Sequence, residues 1–171
     1  MIYSFLQNGD SAVTVQFKNE ISEEVNRRVT GLCNRIEAKH INGIIELVPT
    51  FASLTVFYDC TIISSKKLKK KIKSLINGGE CDVKSTAKVW NIPVCYDDEF
   101  ALDMKNVCSH TALEREEVIK LHTSKPYLIY MLGFLPGFAY LGGMDERLFT
   151  PRLKTPRLEI FEGAVGIGGE Q

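Results

Sequence analysis

Gly133-Phe134-Leu135-Pro136-Gly137-Phe138-Ala139-Tyr140-Leu141-Gly142-Gly143 sets three aromatic rings among four glycines and one proline, directly after the apolar run Tyr127–Leu132. Glycine weakens strand interiors, and Pro136 lacks the N–H that a central ladder uses. The pattern therefore predicts a strand that runs into a tight bend, with Phe134, Phe138 and Tyr140 around a shallow cavity. Two readings of the rings stand side by side. They fill the core at a barrel corner, or they line a cleft for a ligand or peptide, where the Tyr140 hydroxyl bonds a polar group.

Upstream, the chain alternates short strands and amphipathic helices. Met1–Leu6 and Ala12–Phe17 read as strands around Asn8-Gly9-Asp10, an Asn-Gly hairpin signal. Ile21, Val25, Val29, Leu32, Cys33 and Ile36 recur at helical spacing behind Ser22-Glu23-Glu24, a polar and acidic helix start. Ile44–Val48 and Ser53–Tyr58 are strands separated at Pro49. A second helix opens at Ser64 or Ser65, presents Leu68, Ile72, Leu75 and Ile76 on one face, and meets Gly78-Gly79 after Asn77. This order predicts an α+β, ferredoxin-like sandwich with helices on one side of an antiparallel sheet. The same helix carries Lys66, Lys67, Lys69, Lys70, Lys71 and Lys73, which read as a solvated face or as a surface for an acidic protein partner.

A boundary is expected within Gly79–Lys84, dividing the chain into domains 1–84 and 85–171. Trp90–Val94 reads as a strand and Phe100–Cys108 as a short helix. Thr111-Ala112-Leu113-Glu114 has the form of a capping box for a helix running to about His122 and stopped by Pro126.

Composition removes several classes of function. Lysine plus arginine equals aspartate plus glutamate, 21 each, so no overall field draws in nucleic acid or an anionic membrane. No apolar span has membrane length, and the first residues lack a basic leader and a cleavage site; a cytoplasmic location follows. The five cysteines are scattered, with no C-x-x-C, and read as mostly buried thiols in a reducing compartment. His40 and His110 have no metal spacing, so no metal is expected.

Two proline-arginine dipeptides offer polar chemistry. Proline restrains the backbone before Arg152 and Arg157, and a guanidinium suits bidentate recognition of a carboxylate or phosphate; an exposed ion pair is the alternative. His122, at a helix end, is a candidate general acid or base, or a protonated cap on the helix dipole. Gly163, Gly166, Gly168 and Gly169 interleave with Val165 and Ile167 without forming a phosphate loop; they read as a strand that admits a close neighbour, with the Gln171 amide on its face.

Leu132–Gly143, with Pro151-Arg152, Pro156-Arg157 and Glu162-Gly163-Ala164-Val165-Gly166-Ile167, resembles the signature of the family of 5-oxoprolinase B subunits, also called allophanate hydrolase subunit 1, which includes the kinase inhibitor KipI. Gly9-Asp10-Ser11-Ala12, Val48-Pro49-Thr50-Phe51 and Tyr58-Asp59 extend the likeness into the N-terminal half. The resemblance implies a cyclophilin-like β-barrel for the second domain. It implies a polypeptide that is inactive alone and works with the A and C subunits in the ATP-dependent opening of 5-oxo-L-proline to L-glutamate. Its rival implication is an inhibitor of a sporulation sensor histidine kinase. With the resemblance, Phe134, Phe138, Tyr140, Arg152, Arg157 and Gln171 are the expected substrate- or partner-binding residues and His122, where the family also has a histidine, the candidate catalytic one. ATP is expected as a co-substrate of the whole complex, and this chain carries no recognisable ATP motif. The family continues for several strands past the position of Gln171, so barrel closure is open, and homo-oligomer formation through free edges is expected.

Overall fold

The computed structural model describes residues 3–77 and 88–171. The chain divides into two compact units. One takes Met1–Thr86 and Tyr130–Phe138; the other takes Ala87–Ile129 and Ala139–Gln171. The boundary expected at Gly79–Lys84, and the Gly78-Gly79 helix stop, lie outside the described residues.

The first unit is built on β1 (Ser4–Asn8), β2 (Ala12–Gln16), β3 (Ile44–Pro49) and β4 (Ser53–Tyr58), all antiparallel in the order β1-β2-β4-β3. Alternation puts Val13, Val15, Leu54, Val56 and Tyr58 on one face, where they meet Val25, Val29, Leu32 and Ile36 of helix α1 (Glu23–Lys39) and Leu68, Ile72 and Ile76 of helix α2 (Ser65–Asn77). Both helices therefore pack on one side of the sheet. Truncating a fully buried side chain such as Leu32 costs about 2–5 kcal/mol. The opposite face is polar at its centre. There Thr14 and Thr55 share a hydroxyl hydrogen bond of 2.8 Å, and Asn8 donates to the Thr14 hydroxyl at 2.6 Å. Gly43 is required before β3: its φ is +95°, and an added Cβ would lie 2.7 Å from the Ile63 methyl.

The second unit holds α3 (Met104–Thr111), α4 (Arg115–His122) and a 3-10 turn at Glu146–Leu148. Met104, Val118, Leu121, Met144 and Leu148 form its core. Two short strands, β5 (Leu128–Leu132) and β6 (Ala139–Gly142), flank the aromatic-glycine stretch. The architecture is thus α+β with antiparallel pairing.

Several local expectations change. Trp90–Val94 forms no strand; Trp90 is exposed, with the Lys88 ammonium 3.7 Å over its ring. The glycine-rich segment pairs only at an isolated Thr150–Gly169 bridge. Thr111 is not a cap for α4. It closes α3 by donating to the Val107 carbonyl at 2.8 Å, and the chain turns at Ala112 (φ +56°) before Glu114 begins α4. Of the described cysteines, Cys33 is buried and Cys60 and Cys95 are exposed, all free. Burial and the Glu37 carboxylate push the Cys33 thiol above its ordinary pKa, so it is an unreactive core group.

Candidate functional site

The aromatic-glycine stretch is a hairpin tip that stands in solvent. Leu135 N–H donates to the Gly133 carbonyl at 2.7 Å, closing a three-residue turn centred on Phe134. Phe138 N–H then donates to the Leu135 carbonyl at 3.0 Å, around Pro136-Gly137. Proline followed by a glycine at φ +82° is the residue pair a type II turn demands, and at that position the missing proline N–H is not needed. Gly133 N–H donates to the Phe138 carbonyl at 3.0 Å and ties the base.

Phe134 sits at φ +63°, a region that costs a bulky L-residue about 1–2 kcal/mol. It is nevertheless 81% exposed, and among the described residues its ring makes a T-shaped contact with Phe138, centroids 5.7 Å apart at 76°. A strained residue that buries little is not serving the core. Phe134 is thus not a core residue; Phe138 is 42% exposed, and Tyr140, on β6, is half-buried.

The base of the tip is anchored in the first unit. Asn26, buried in α1, donates from its amide to the Tyr130 carbonyl at 3.0 Å and to the Thr50 carbonyl at 3.4 Å. Nothing in the sequence marks Asn26, because it lies on an apolar helix face, where only its partners reveal its use.

His122 ends α4, as expected, and is half-buried. The Tyr96 hydroxyl lies 2.5 Å from Nδ1, and the Tyr127 hydroxyl donates to the His122 carbonyl at 2.9 Å. Both phenol rings lie close to the imidazole, with centroids at 5.8 and 5.6 Å. Burial pushes the imidazole pKa down and both phenol pKa values up, so all three groups are neutral at pH 7. Desolvation overrides the helix dipole here, and a protonated cap is not what the site favours. Either neutral group can donate in the Tyr96–His122 pair, according to which ring nitrogen carries the proton, and Nε2 is the nitrogen that Tyr96 does not engage. Arg115 fixes Tyr96 by donating to its carbonyl while pairing with Asp98.

The two proline-flanked arginines differ. Arg157 forms a bidentate pair with Asp103, the residue preceding α3; one of the two bonds is 2.7 Å long. The hydrogen bond from Arg157 holds the Asp103 carboxyl below its usual pKa, and Asp103 in turn raises that of Arg157. Arg152 forms no ion pair among the described residues. Its stem lies over Gly168, where an added Cβ would sit 3.2 Å from Nε, and Gly168 N–H donates to the Gln171 carbonyl at 2.7 Å. Arg152, Gly168 and Gln171 are therefore neighbours, while no described hydrogen bond, ion pair or ring contact joins His122, Arg152 and Arg157. Asp103 and Tyr96 are the partners that sequence spacing did not disclose. The segment from Gly163 to Gly169 opens no helix, so it provides no phosphate cradle of the helix N-terminal kind.

This fold and site define a known class of domain: residues 3–171 match the carboxyltransferase domain, subdomain C and D, and the chain belongs to that family. Within it the chain stands with the B subunits of 5-oxoprolinase. It is 41% identical over 180 residues to the 5-oxoprolinase B subunit of Bacillus subtilis (strain 168), covering 99% of this chain and 75% of that relative. Among solved structures, TTHA0988 superposes with a TM-score of 0.77 at 32% identity, over 94% of this chain and 30% of that one. The chain thus spans three quarters of the curated relative but under a third of this solved protein. The urea carboxylase of Kluyveromyces lactis shares the fold, with a TM-score of 0.61 at 19% identity over 77% of this chain and 14% of its own.

Proposed function

We propose that this chain is the B subunit of an ATP-dependent 5-oxoprolinase, acting with the A and C subunits to open 5-oxo-L-proline to L-glutamate. The observation that carries this is the 41% identity to a 5-oxoprolinase B subunit across 99% of the chain. The free cysteines support a cytoplasmic setting.

Within that assembly, the exposed Phe134–Phe138 tip contacts a partner subunit or the substrate, and its strain is retained for that role. Arg152, with Gln171 beside it, receives an anionic group, the 5-oxoproline carboxylate or a phosphate. Arg157 is already engaged by Asp103 and acts by positioning the backbone between the two proline-arginine dipeptides. Tyr140 supplies a hydroxyl to a ligand, and His122, through Nε2, is the candidate proton carrier. ATP is a co-substrate of the whole complex, and no step of its chemistry is assigned to this chain. On the fold, the separation of β2 from β3 by β4 supports a ferredoxin-like sandwich whose outer strand, β1, comes from the N-terminus. The cyclophilin-like barrel for the second unit rests on the family pattern.

The test is reconstitution. The chain alone with ATP should give no glutamate from 5-oxoproline, and adding the A and C subunits should give turnover. Turnover by the chain alone refutes the composite site. Copurification with a sensor histidine kinase, and no turnover in the reconstituted mixture, would replace the enzyme reading with the regulator.

A further inference from the structure

One groove in the first unit is untouched by this reading. It lies between β1 and α2, has a volume of about 480 Å³, and is lined by Tyr3, Ser4, Phe5, Lys69, Lys70 and Lys73. We propose that it binds an extended acidic segment of a partner protein, which adds as a strand to β1 and places its carboxylates on the α2 lysines.

The backbone of β1 is suited to this. Among the described residues it is an outer strand, paired on one side with β2, and its other edge makes no backbone hydrogen bond. Its sequence, Ser4-Phe5-Leu6-Gln7-Asn8, contains none of the charges or prolines that usually blunt such an edge. The Ser65 hydroxyl donates to the Gln7 side-chain carbonyl at 2.6 Å and pins the start of α2 beside β1. Later turns of α2 then bring Lys69, Lys70 and Lys73 alongside Tyr3–Phe5.

Charge decides the occupant. The helix holds six lysines and no acidic residue, and none of the six forms an ion pair among the described residues. The chain as a whole is balanced at 21 and 21; setting the six aside leaves 15 basic residues against 21 acidic ones. The positive charge is thus concentrated beside the free edge. Tyr3 and Phe5, edge to face at 5.7 Å, provide apolar area for alternate side chains of an added strand. A membrane does not fit, because the apolar face of α2 is already spent on Leu68, Ile72 and Ile76 in the core. A second copy of this chain does not fit either, since pairing at β1 would bring two lysine-rich helices together.

The experiment titrates the full chain into a fluorescein-labelled decapeptide of alternating glutamate and valine and reads anisotropy. Binding should weaken about tenfold or more in the Lys69→Gln/Lys70→Gln/Lys73→Gln variant, and steeply with added salt. The same peptide with alternate N-methylated amides keeps its charge but cannot pair as a strand, and should lose about tenfold or more as well. Thermal melting of the triple variant should stay close to the parent, since Lys70 and Lys73 are exposed and Lys69 is half-buried with no ion pair among the described residues.

No binding to the parent, or equal binding to the triple variant, overturns the proposal. So does equal binding of the N-methylated peptide. Displacement by inorganic triphosphate as effective as by unlabelled peptide makes the groove a small-anion site instead. Self-association in light scattering that the triple variant abolishes assigns the groove to a second copy. The peptide assay uses none of the other subunits, so its failure leaves the 5-oxoprolinase reading where it stands.

Discussion

Replacing Phe134 by asparagine separates what the hairpin tip does for folding from what it does for function. With 81% of the residue exposed, only about a fifth of its surface is removed from water. An aromatic side chain offers roughly 150–250 Å², so about 40 Å² is at stake, worth about 1 kcal/mol at ~25 cal/mol per Å². Against it stands the left-handed backbone at φ +63°, which costs phenylalanine about 1–2 kcal/mol and which asparagine tolerates. The two effects nearly cancel, so Phe134→Asn should unfold in urea within about 1 kcal/mol of the parent, on the stable side if anything. The reconstituted complex should meanwhile lose activity or assembly, since an aromatic anchor in an interface is commonly worth about 2 kcal/mol or more. A destabilisation well above about 1 kcal/mol would show that the ring packs far better than its exposure implies. Full activity with unchanged assembly would refute the functional reading of the strain.

Asn26→Ala should destabilise the first unit by about 1–3 kcal/mol in urea unfolding, because it strands the Tyr130 and Thr50 carbonyls; a loss under about 0.5 kcal/mol, roughly a surface effect, would mean water replaces the amide. His122 has a lowered pKa in the fold, so its neutral form contributes stability that is complete above the unfolded value of about 6.5 and is lost as pH falls below it towards the folded value. Melting temperature should therefore drop on acidification through that window, and less so in His122→Gln; identical pH profiles would contradict burial as the cause. Arg152→Met should lower the activity of the reconstituted complex roughly ten- to a hundredfold with melting unchanged, whereas the effect of Arg157→Met should be matched by Asp103→Asn, since each breaks the same pair. A double-mutant cycle on that exposed pair should show little coupling in melting temperature, and a clear coupling would mark the pair as structural.

Periodicity alone placed the elements of the first unit. Val13 and Val15 alternate, Val25, Val29, Leu32 and Ile36 repeat at helical spacing, and Asn8-Gly9-Asp10 turns the first hairpin, so local chemistry and burial point the same way. The aromatic-glycine motif likewise announced its bend, because proline and glycine act through their own backbone. Tertiary structure decided what those signals left open. Whether Phe134 faces a core or solvent depends on atoms far away in sequence, and the solvent-exposed ring became evident only in three dimensions. Thr111 had the spacing of a capping box, but its hydroxyl bonded backwards to Val107, and the N-cap position of α4 fell to Glu114, whose side chain makes no capping hydrogen bond. Arg152 and Arg157 have the same local sequence and different fates, because Asp103, 54 residues away from Arg157, reaches only one of them. Asn26 shows the same limit from the other side: a polar residue on an apolar face acquires its meaning from the Tyr130 carbonyl, 104 residues on. Side-chain hydrogen bonds between distant segments leave no periodic trace in a sequence, since their cost and gain exist only once the chain has brought the partners out of water together.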